Sequence, residues 1–290
     1  MRRHAHRSIP PACLLACCTW GALAQPGAPE PETAAASETV SEYREDLADY
    51  TRHTVRGFGV MVHTSLEERD PDLLAHVLLL LEHDLAVIEE IVPGPAFEVL
   101  RTVTFWVESQ GAVVPGGMSG RGMCFHASTD WVTSHGLLAE KTGGVEIVRA
   151  ADFPVWRRDQ PFMTFHELAH AYHHLLGVDD ERIARAYESA RESGVYEAVD
   201  RNTSTEPVRA YALSNRMEYF AELSEAYFGL NDYYPFTRRQ LASHDPGGLE
   251  AVAALWNLPA EAIDDRVERA DFMGQLERHR DAQQQAGDDG

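Results

Sequence analysis

The most restrictive feature of the chain is residues 161–177, which read PFMTFHELAHAYHHLLG and contain the pattern H-E-x-x-H. In a helix, His166 and His170 lie one turn apart on one face, so both imidazoles can reach a single metal ion. Glu167 points about 100° away from His166, close enough to take a proton from an attacking water molecule. The pattern therefore predicts a catalytic Zn²⁺ site.

A helix is the natural conformation for this stretch. Pro161 suits a first helical position, where the missing N–H would be unpaired anyway, and Gly177 is a typical C-terminal stop. The apolar residues between Pro161 and Gly177 would form one face of this helix. A five-letter pattern also occurs by chance, and an exposed helix with two histidines is the alternative. A zinc site needs a third protein ligand from elsewhere in the chain.

Charge and composition restrict the possible partners. The chain has 290 residues, 44% of them hydrophobic, which is ordinary for a globular protein. Its formal net charge of −21 argues against nucleic acid as a partner, because phosphates would be repelled.

The N-terminus is typical of an export signal. Residues 1–7 are basic, residues 9–23 are mostly apolar, and Ala22-Leu23-Ala24 is a small-x-small cleavage site. The apolar run is too short to span a bilayer, so we expect no integral membrane segment in the mature chain. We therefore predict a signal peptide at residues 1–24 and a secreted or periplasmic protein. The alternative is a lipoprotein acylated at Cys17, since Leu14-Leu15-Ala16-Cys17 resembles a lipobox.

Removal of the signal changes two properties of the chain. Residues 1–24 contain three Arg and no acidic residue, so the mature net charge falls from −21 to −24. Of the four Cys, Cys124 alone remains, which rules out an internal disulfide. We expect Cys124 to be a small buried hydrophobe, and we expect the fold to depend on its core.

Hydrophobic patterning predicts an α+β fold, with a small mixed sheet followed by a mostly helical half. Asp70 and Pro71 are predicted to open a long helix over residues 72–91. The predicted strands are residues 58–63, 97–107, 123–126 and 145–148. The other predicted helices are residues 41–53, 180–193, 216–228, 249–256 and 261–275. Residues 25–40 are predicted to be a disordered linker, and residues 276–290 a disordered tail.

The helix predicted over residues 216–228 offers the missing ligand. Glu218 and Glu222 are four residues apart and therefore share one face. One carboxylate could bind the metal, and the second could accept a hydrogen bond from a metal-bound His and fix its tautomer. Two solvated Glu on a surface helix is the alternative when this pair is considered alone.

Two other histidines are poor candidates for the third ligand. His173 begins about 10 Å along the helix from His166, too far for both to converge on one ion, and His174 lies one residue further on. We expect these two at the surface or behind the ligands. A metzincin would need a glycine at position 173 and a histidine at 176, where this chain has His173 and Leu176.

Residues 211–222, which read YALSNRMEYFAE, resemble the catalytic domain of the anthrax-lethal-factor-like metallopeptidases of the gluzincin clan. That family pairs H-E-x-x-H with a later E-[FY]-F-A-E helix and a Tyr seven residues before the ligand Glu. The resemblance covers roughly residues 140–235. It implies that Glu218 is the third zinc ligand and that the phenol of Tyr211 stabilises the oxyanion.

The resemblance also implies a zincin-like catalytic domain, which we place at residues 41–275. The chain is similar as well to uncharacterised exported bacterial zinc peptidases that carry HELAHAYHH and EYFAELSEAYFG. In zincins the edge strand of the sheet holds an extended substrate, and we expect residues 145–148 to be that strand. Nothing resembles the substrate-recognition domains of lethal factor, so no substrate is carried over.

The function expected from the sequence is Zn²⁺-dependent hydrolysis of a peptide or protein substrate, with Glu167 as general base. One alternative is a non-enzymatic zinc-binding protein of the cell surface, in which the metal is structural. Another is a lipid-anchored envelope protein that acts on cell-wall peptides.

Overall fold

A computed structural model describes residues 44–109 and 122–258. The predicted signal peptide, the linker at residues 25–40, the helix at 261–275 and the tail at 276–290 lie outside the described residues. The described part is a mixed α+β structure, in agreement with the predicted fold class.

A five-stranded mixed sheet forms the first half of the fold. Its strands are β1 (Tyr50–Val55), β2 (Phe58–His63), β3 (Phe105–Val107), β4 (Met123–Phe125) and β5 (Val145–Ile147). The order across the sheet is β1-β2-β3-β5-β4. β1 and β4 are antiparallel to their neighbours, and the inner pairs are parallel. Arg56 and Gly57 join β1 to β2 with positive φ angles of 45° and 84°, as a two-residue hairpin requires.

Helices surround this sheet and make up most of the second half. They are α1 (Thr64–Arg69), α2 (Pro71–Ile91), α3 (Gly94–Leu100), α4 (Thr129–Ser134), α5 (Phe153–Asp159), α6 (Met163–Leu176), α7 (Glu181–Ser193), α8 (Arg216–Phe228), α9 (Arg238–His244) and α10 (Pro246–Leu255). The capping residues explain several boundaries. Asp70, Asp180 and Asn215 each accept backbone N–H groups in the first turn of α2, α7 and α8.

Two predicted elements are wrong. Residues 97–107 were expected to be one strand, but α3 occupies Gly94–Leu100 and only Phe105–Val107 is extended. Pro95 lies in the first turn of this helix, where proline is favoured, and Phe97 and Leu100 bury one helical face. The sequence predicted a strand because apolar residues also alternate along residues 97–107. Within residues 44–53, the described part of the helix predicted over 41–53, there is instead a single 3₁₀ turn at Leu47–Asp49 followed by β1.

The edge strand next to α6, the helix with the H-E-x-x-H pattern, is also not the predicted one. β5 lies between β3 and β4, so the strand at that edge of the sheet is β4. Sequence order along the chain placed β5 nearest the helix, but β4 folds back antiparallel to β5 and covers it.

One hydrophobic core joins the sheet to helices that come both before and after residues 110–121 in the chain. Trp256 is 1% exposed and stacks at 4.0 Å on Tyr172, which ties α6 to the end of α10. Cys124 is buried against Val132 and Val148, as expected of a small hydrophobe. None of the helices that the structure describes has the length and apolar character needed to cross a membrane.

Candidate metal centre

Helix α6 carries the H-E-x-x-H pattern into the interior. It begins at Met163, two residues after Pro161, and Gly177 caps its C-terminus with a φ of 94°. His166 and His170 are 9% and 7% exposed, so their imidazoles are withdrawn from solvent. The predicted helix is confirmed, and its two histidines share one buried face.

Helix α8 packs against α6 and brings the third ligand candidate. Asn215 accepts hydrogen bonds from the backbone N–H groups of Met217 and Glu218, which fixes the start of the helix at this point. Glu218 is 2% exposed. A surface helix would leave such a carboxylate in water, so the alternative of two solvated Glu does not apply here.

The three predicted ligands meet at one point. Nε2 of His166 lies 3.1 Å from Nε2 of His170, and Oε2 of Glu218 lies 3.1 Å and 3.0 Å from these two nitrogens. Side chains separated by 48 and 52 residues in sequence therefore form a nearly equilateral triangle of ligand atoms.

This triangle fits a zinc ion. Ligand atoms at about 2.0–2.1 Å from tetrahedral Zn²⁺ are about 3.3 Å apart, close to the spacings above. Two imidazoles and one carboxylate are the donor set of a catalytic rather than a structural zinc site, because the fourth position is left for water or substrate.

The hydrogen-bond partner behind His166 is Glu225, not Glu222. Oε1 of Glu225 lies 2.6 Å from Nδ1 of His166, whereas Oε1 of Glu222 lies 3.9 Å away. Glu222 instead accepts a 3.2 Å hydrogen bond from Asn231. A carboxylate on Nδ1 keeps the proton there and leaves Nε2 free to bind a metal. The sequence predicted Glu222, one turn after Glu218, as this partner, and did not predict Glu225.

Glu167 is held by the edge strand. Its Oε2 accepts a 2.8 Å hydrogen bond from the backbone N–H of Phe125 in β4. The carboxylate lines the same cleft as the two histidines.

Tyr211 also reaches the site, as the resemblance implied. Its hydroxyl donates a 3.0 Å hydrogen bond to Oε1 of Glu218, the oxygen that points away from the two imidazoles. Its ring lies at a centroid distance of 6.5 Å from that of His166. The phenol is thus next to the ligand triangle and lines the cleft.

The electrostatics of the site favour positive charge. Burial opposes charge on His166, but hydrogen bonds to Glu218 and Glu225 outweigh it and raise the pKa of the imidazole well above its usual value. Burial also raises the pKa of Glu218, but the charges and hydrogen bonds of His170 and His166 reverse this and hold it well below its usual range. Both directions describe a pocket in which a cation is stabilised.

The remaining histidines of α6 are not ligands. His173 is 1% exposed and packs against Phe220 with ring centroids 4.7 Å apart. Burial lowers its pKa to about 4, so the ring is neutral at physiological pH. His174 is exposed and meets the ring of Phe125 edge-on.

An open cleft runs along β4 to the ligand triangle. At one end it is lined by Gly122, Trp156, Gln160 and Met163. A side chain at Gly122 would collide with Trp156 at 2.7 Å, so the strand packs closely on α5 there.

Comparisons of the chain with protein-family models, with curated proteins and with solved structures found no match.

Proposed function

We propose that the protein is an exported, zinc-dependent peptidase with a zincin-like catalytic domain. The observation that carries this proposal is the triangle of His166, His170 and Glu218 beside Glu167 in an open cleft. A structural zinc site needs neither the general base nor the cleft. The same features therefore favour catalysis over a non-enzymatic zinc-binding protein.

His166, His170 and Glu218 would hold the ion. Zn²⁺ bound there supplies Lewis acidity, which lowers the pKa of water and polarises a carbonyl group. Glu167 accepts the proton of the attacking water and then passes it to the leaving amine. The N–H of Phe125 fixes the carboxylate for this transfer. Glu225 holds the His166 ring in one tautomer through Nδ1.

Tyr211 has a role that changes during the reaction. In the free protein its hydroxyl donates to Glu218. As negative charge develops on the oxygen of the scissile carbonyl, the same hydroxyl can donate to that oxygen instead. A hydrogen bond that forms mainly in the transition state raises kcat more than it lowers KM.

The edge strand supports a polypeptide substrate. Val145 donates to the Thr104 carbonyl, and the Ile147 carbonyl accepts from Glu108, so these groups of β5 face β3. The backbone N–H and carbonyl groups of Glu146 therefore face Cys124 in β4. The backbone groups of Met123 then point into the cleft, where an extended peptide could pair with them.

A proteome-derived peptide library tests the proposed function. The mature protein with stoichiometric zinc should cut peptides at defined positions. A chelator should abolish the cuts, and Glu167→Gln should slow them about 100-fold or more. Zinc-loaded protein that cuts nothing in such a library would overturn the proposal and favour a structural metal. Cutting that survives both chelation and Glu167→Gln would show a contaminating protease.

A further inference from the structure

The far face of the sheet contains a buried charge network that the proposed mechanism does not use. Its centre is Lys141, which is 0% exposed. Nζ of Lys141 lies 2.7 Å from Glu45, 2.8 Å from Glu108 and 3.1 Å from Glu146. We use the name buried charge network for these four residues together with Tyr50 and His126, which donate to or pair with two of the carboxylates.

This network reaches the edge strand through one residue. Nε2 of His126 lies 2.5 Å from Oε2 of Glu146, and His126 is 2% exposed. The backbone of His126 is bonded as well, since its N–H donates to Gly144 and its carbonyl accepts from Gly143. His126 directly follows Phe125, the residue whose N–H holds Glu167.

The edge strand needs such an anchor. β4 has three residues and pairs with β5 alone, so few ladder hydrogen bonds hold it. Its outer side carries the N–H group that bonds Glu167. A shift of about 1 Å at a positioned catalytic group can lower a rate about 100-fold. A strand this short therefore has to be fixed at its end by other contacts.

Stability alone does not account for the network. Replacement of a buried ion pair by apolar residues of similar volume is often neutral or stabilising. Tyr50 and Trp106 cover Lys141 at 5.5 Å and 5.7 Å, so the charges are shielded from water by aromatic rings. What the charges add is a defined geometry, because each hydrogen bond requires one arrangement of its partners.

We infer that His126, held by Glu146 and Lys141, is a positioning residue that keeps the Phe125 N–H aimed at Glu167. This inference rests on the proposed function for its effect on rate. The placement of the Phe125 amide can be measured without any catalysis, so the positioning role and the proposed function can be refuted separately.

The test compares His126→Phe, which keeps a ring but removes the donor to Glu146, with His126→Gln, which retains a donor. In the zinc-loaded protein, His126→Phe should lower kcat about 10-fold or more, with little change in KM and unchanged zinc stoichiometry. His126→Gln should recover most of the loss. In a Glu167→Gln background, His126→Phe should not lower the residual rate further, because the effect acts through Glu167.

Two controls separate positioning from general damage. His53→Phe breaks a partly exposed His–Glu pair, 2.6 Å long, between β1 at the opposite edge of the sheet and Glu67 of α1, and should leave kcat unchanged. If His126→Phe does not fold, Glu146→Gln removes the partner charge with little change in volume and should lower kcat in the same way.

Hydrogen exchange at the Phe125 amide provides the readout that is independent of activity. The amide should be protected in the wild-type protein and in His126→Gln, and should exchange faster in His126→Phe. Unchanged protection, or unchanged kcat in an active enzyme, would overturn the positioning role. A wild-type protein with a protected amide but no peptidase activity would overturn the proposed function alone.

Discussion

Replacement of Glu225 by Gln measures how much the carboxylate behind His166 contributes to the metal site. Oε1 of Glu225 lies 2.6 Å from Nδ1 of His166. A hydrogen bond to a charged group is worth about 1.5–3 kcal/mol, and a neutral acceptor keeps roughly half of that. The loss of about 0.8–1.5 kcal/mol corresponds to about 4- to 13-fold weaker zinc binding. Removal of such outer partners typically costs 10–100-fold, which overlaps the upper end of this range.

Glu222→Gln is the matched control, because it makes the same change on the same helix. Its Oε1 lies 3.9 Å from Nδ1, beyond hydrogen-bond distance. Burial, together with the nearby Asp232, raises the pKa of Glu222 well above its usual value, so this carboxyl group holds its proton more tightly than one in water. We expect less than about a threefold change in zinc affinity.

Competition with a chromophoric chelator at pH 8 is a suitable assay. Burial raises the pKa of Glu225 to about 7, even against the hydrogen bond from His166, so at pH 8 the carboxylate is mostly ionised. The reasoning is refuted if Glu222→Gln weakens zinc binding more than Glu225→Gln does. Equal losses would mean that only the summed negative charge near His166 matters.

The remaining predictions concern catalysis, stability and metal removal. Glu167→Gln should retain stoichiometric zinc and lose about 100-fold or more in kcat, and loss of metal would contradict its role as base. Tyr211→Phe should lower kcat with little effect on KM, and an unchanged kcat would leave it only the hydrogen bond to Glu218. Burial raises the pKa of Asp84, but the charge of Arg157 and the hydrogen bonds to the carboxylate outweigh it and lower that pKa. The ionised Asp84 therefore contributes stability above the unfolded pKa of about 3.9, and this contribution is lost as the pH falls below that value. In urea titrations, the destabilisation caused by Asp84→Asn should therefore shrink below about pH 4. A constant difference between the two proteins down to pH 2 would contradict this. Chelation should lower the melting temperature by roughly 10 °C without unfolding the protein, because a zinc concentration of 1,000 times Kd adds about 4 kcal/mol; complete unfolding would indicate a structural metal.

Local signals in the sequence were sufficient for the elements that hold the site. The caps at Asp70, Asp180 and Asn215 are each a side chain followed by a helical pattern, so a short window contains both the start and the reason for it. The ligand triangle could be predicted for a related reason. The spacing of H-E-x-x-H at residues 166–170 predicts the two imidazoles, and the resemblance implied Glu218 as the third ligand.

Long-range arrangement could not be read in the same way. The edge position of β4 depends on which strand pairs with β5, and sequence order does not determine this. Glu225 had a usable signal that was missed. At about 100° per residue, Glu225 is rotated by about −20° from Glu218 about the helix axis, whereas Glu222 is rotated by about +40°. Glu225 therefore lies closer to the same side of the helix as Glu218. Its contact with His166 also requires the packing of α6 on α8, which no local pattern provides.

A cation bound at the candidate site would also balance the charge of the carboxylates on α8. Glu218, Glu222 and Glu225 on α8, with Asp232, bring four carboxylates close to the imidazoles, and Arg201 is the cation paired with Asp232. Among the described residues, Oε1 of Glu222 and Oδ1 of Asp232 have no hydrogen-bond partner. With neutral imidazoles and ionised carboxylates, these residues and Glu167, which lines the same cleft, carry −4, and a divalent ion would reduce this to −2. A proton on Glu222 would reduce it further to −1, in line with the raised pKa of Glu222. Without the ion, protons on the imidazoles have to offset the same charge, so metal binding and proton release are linked in this interior.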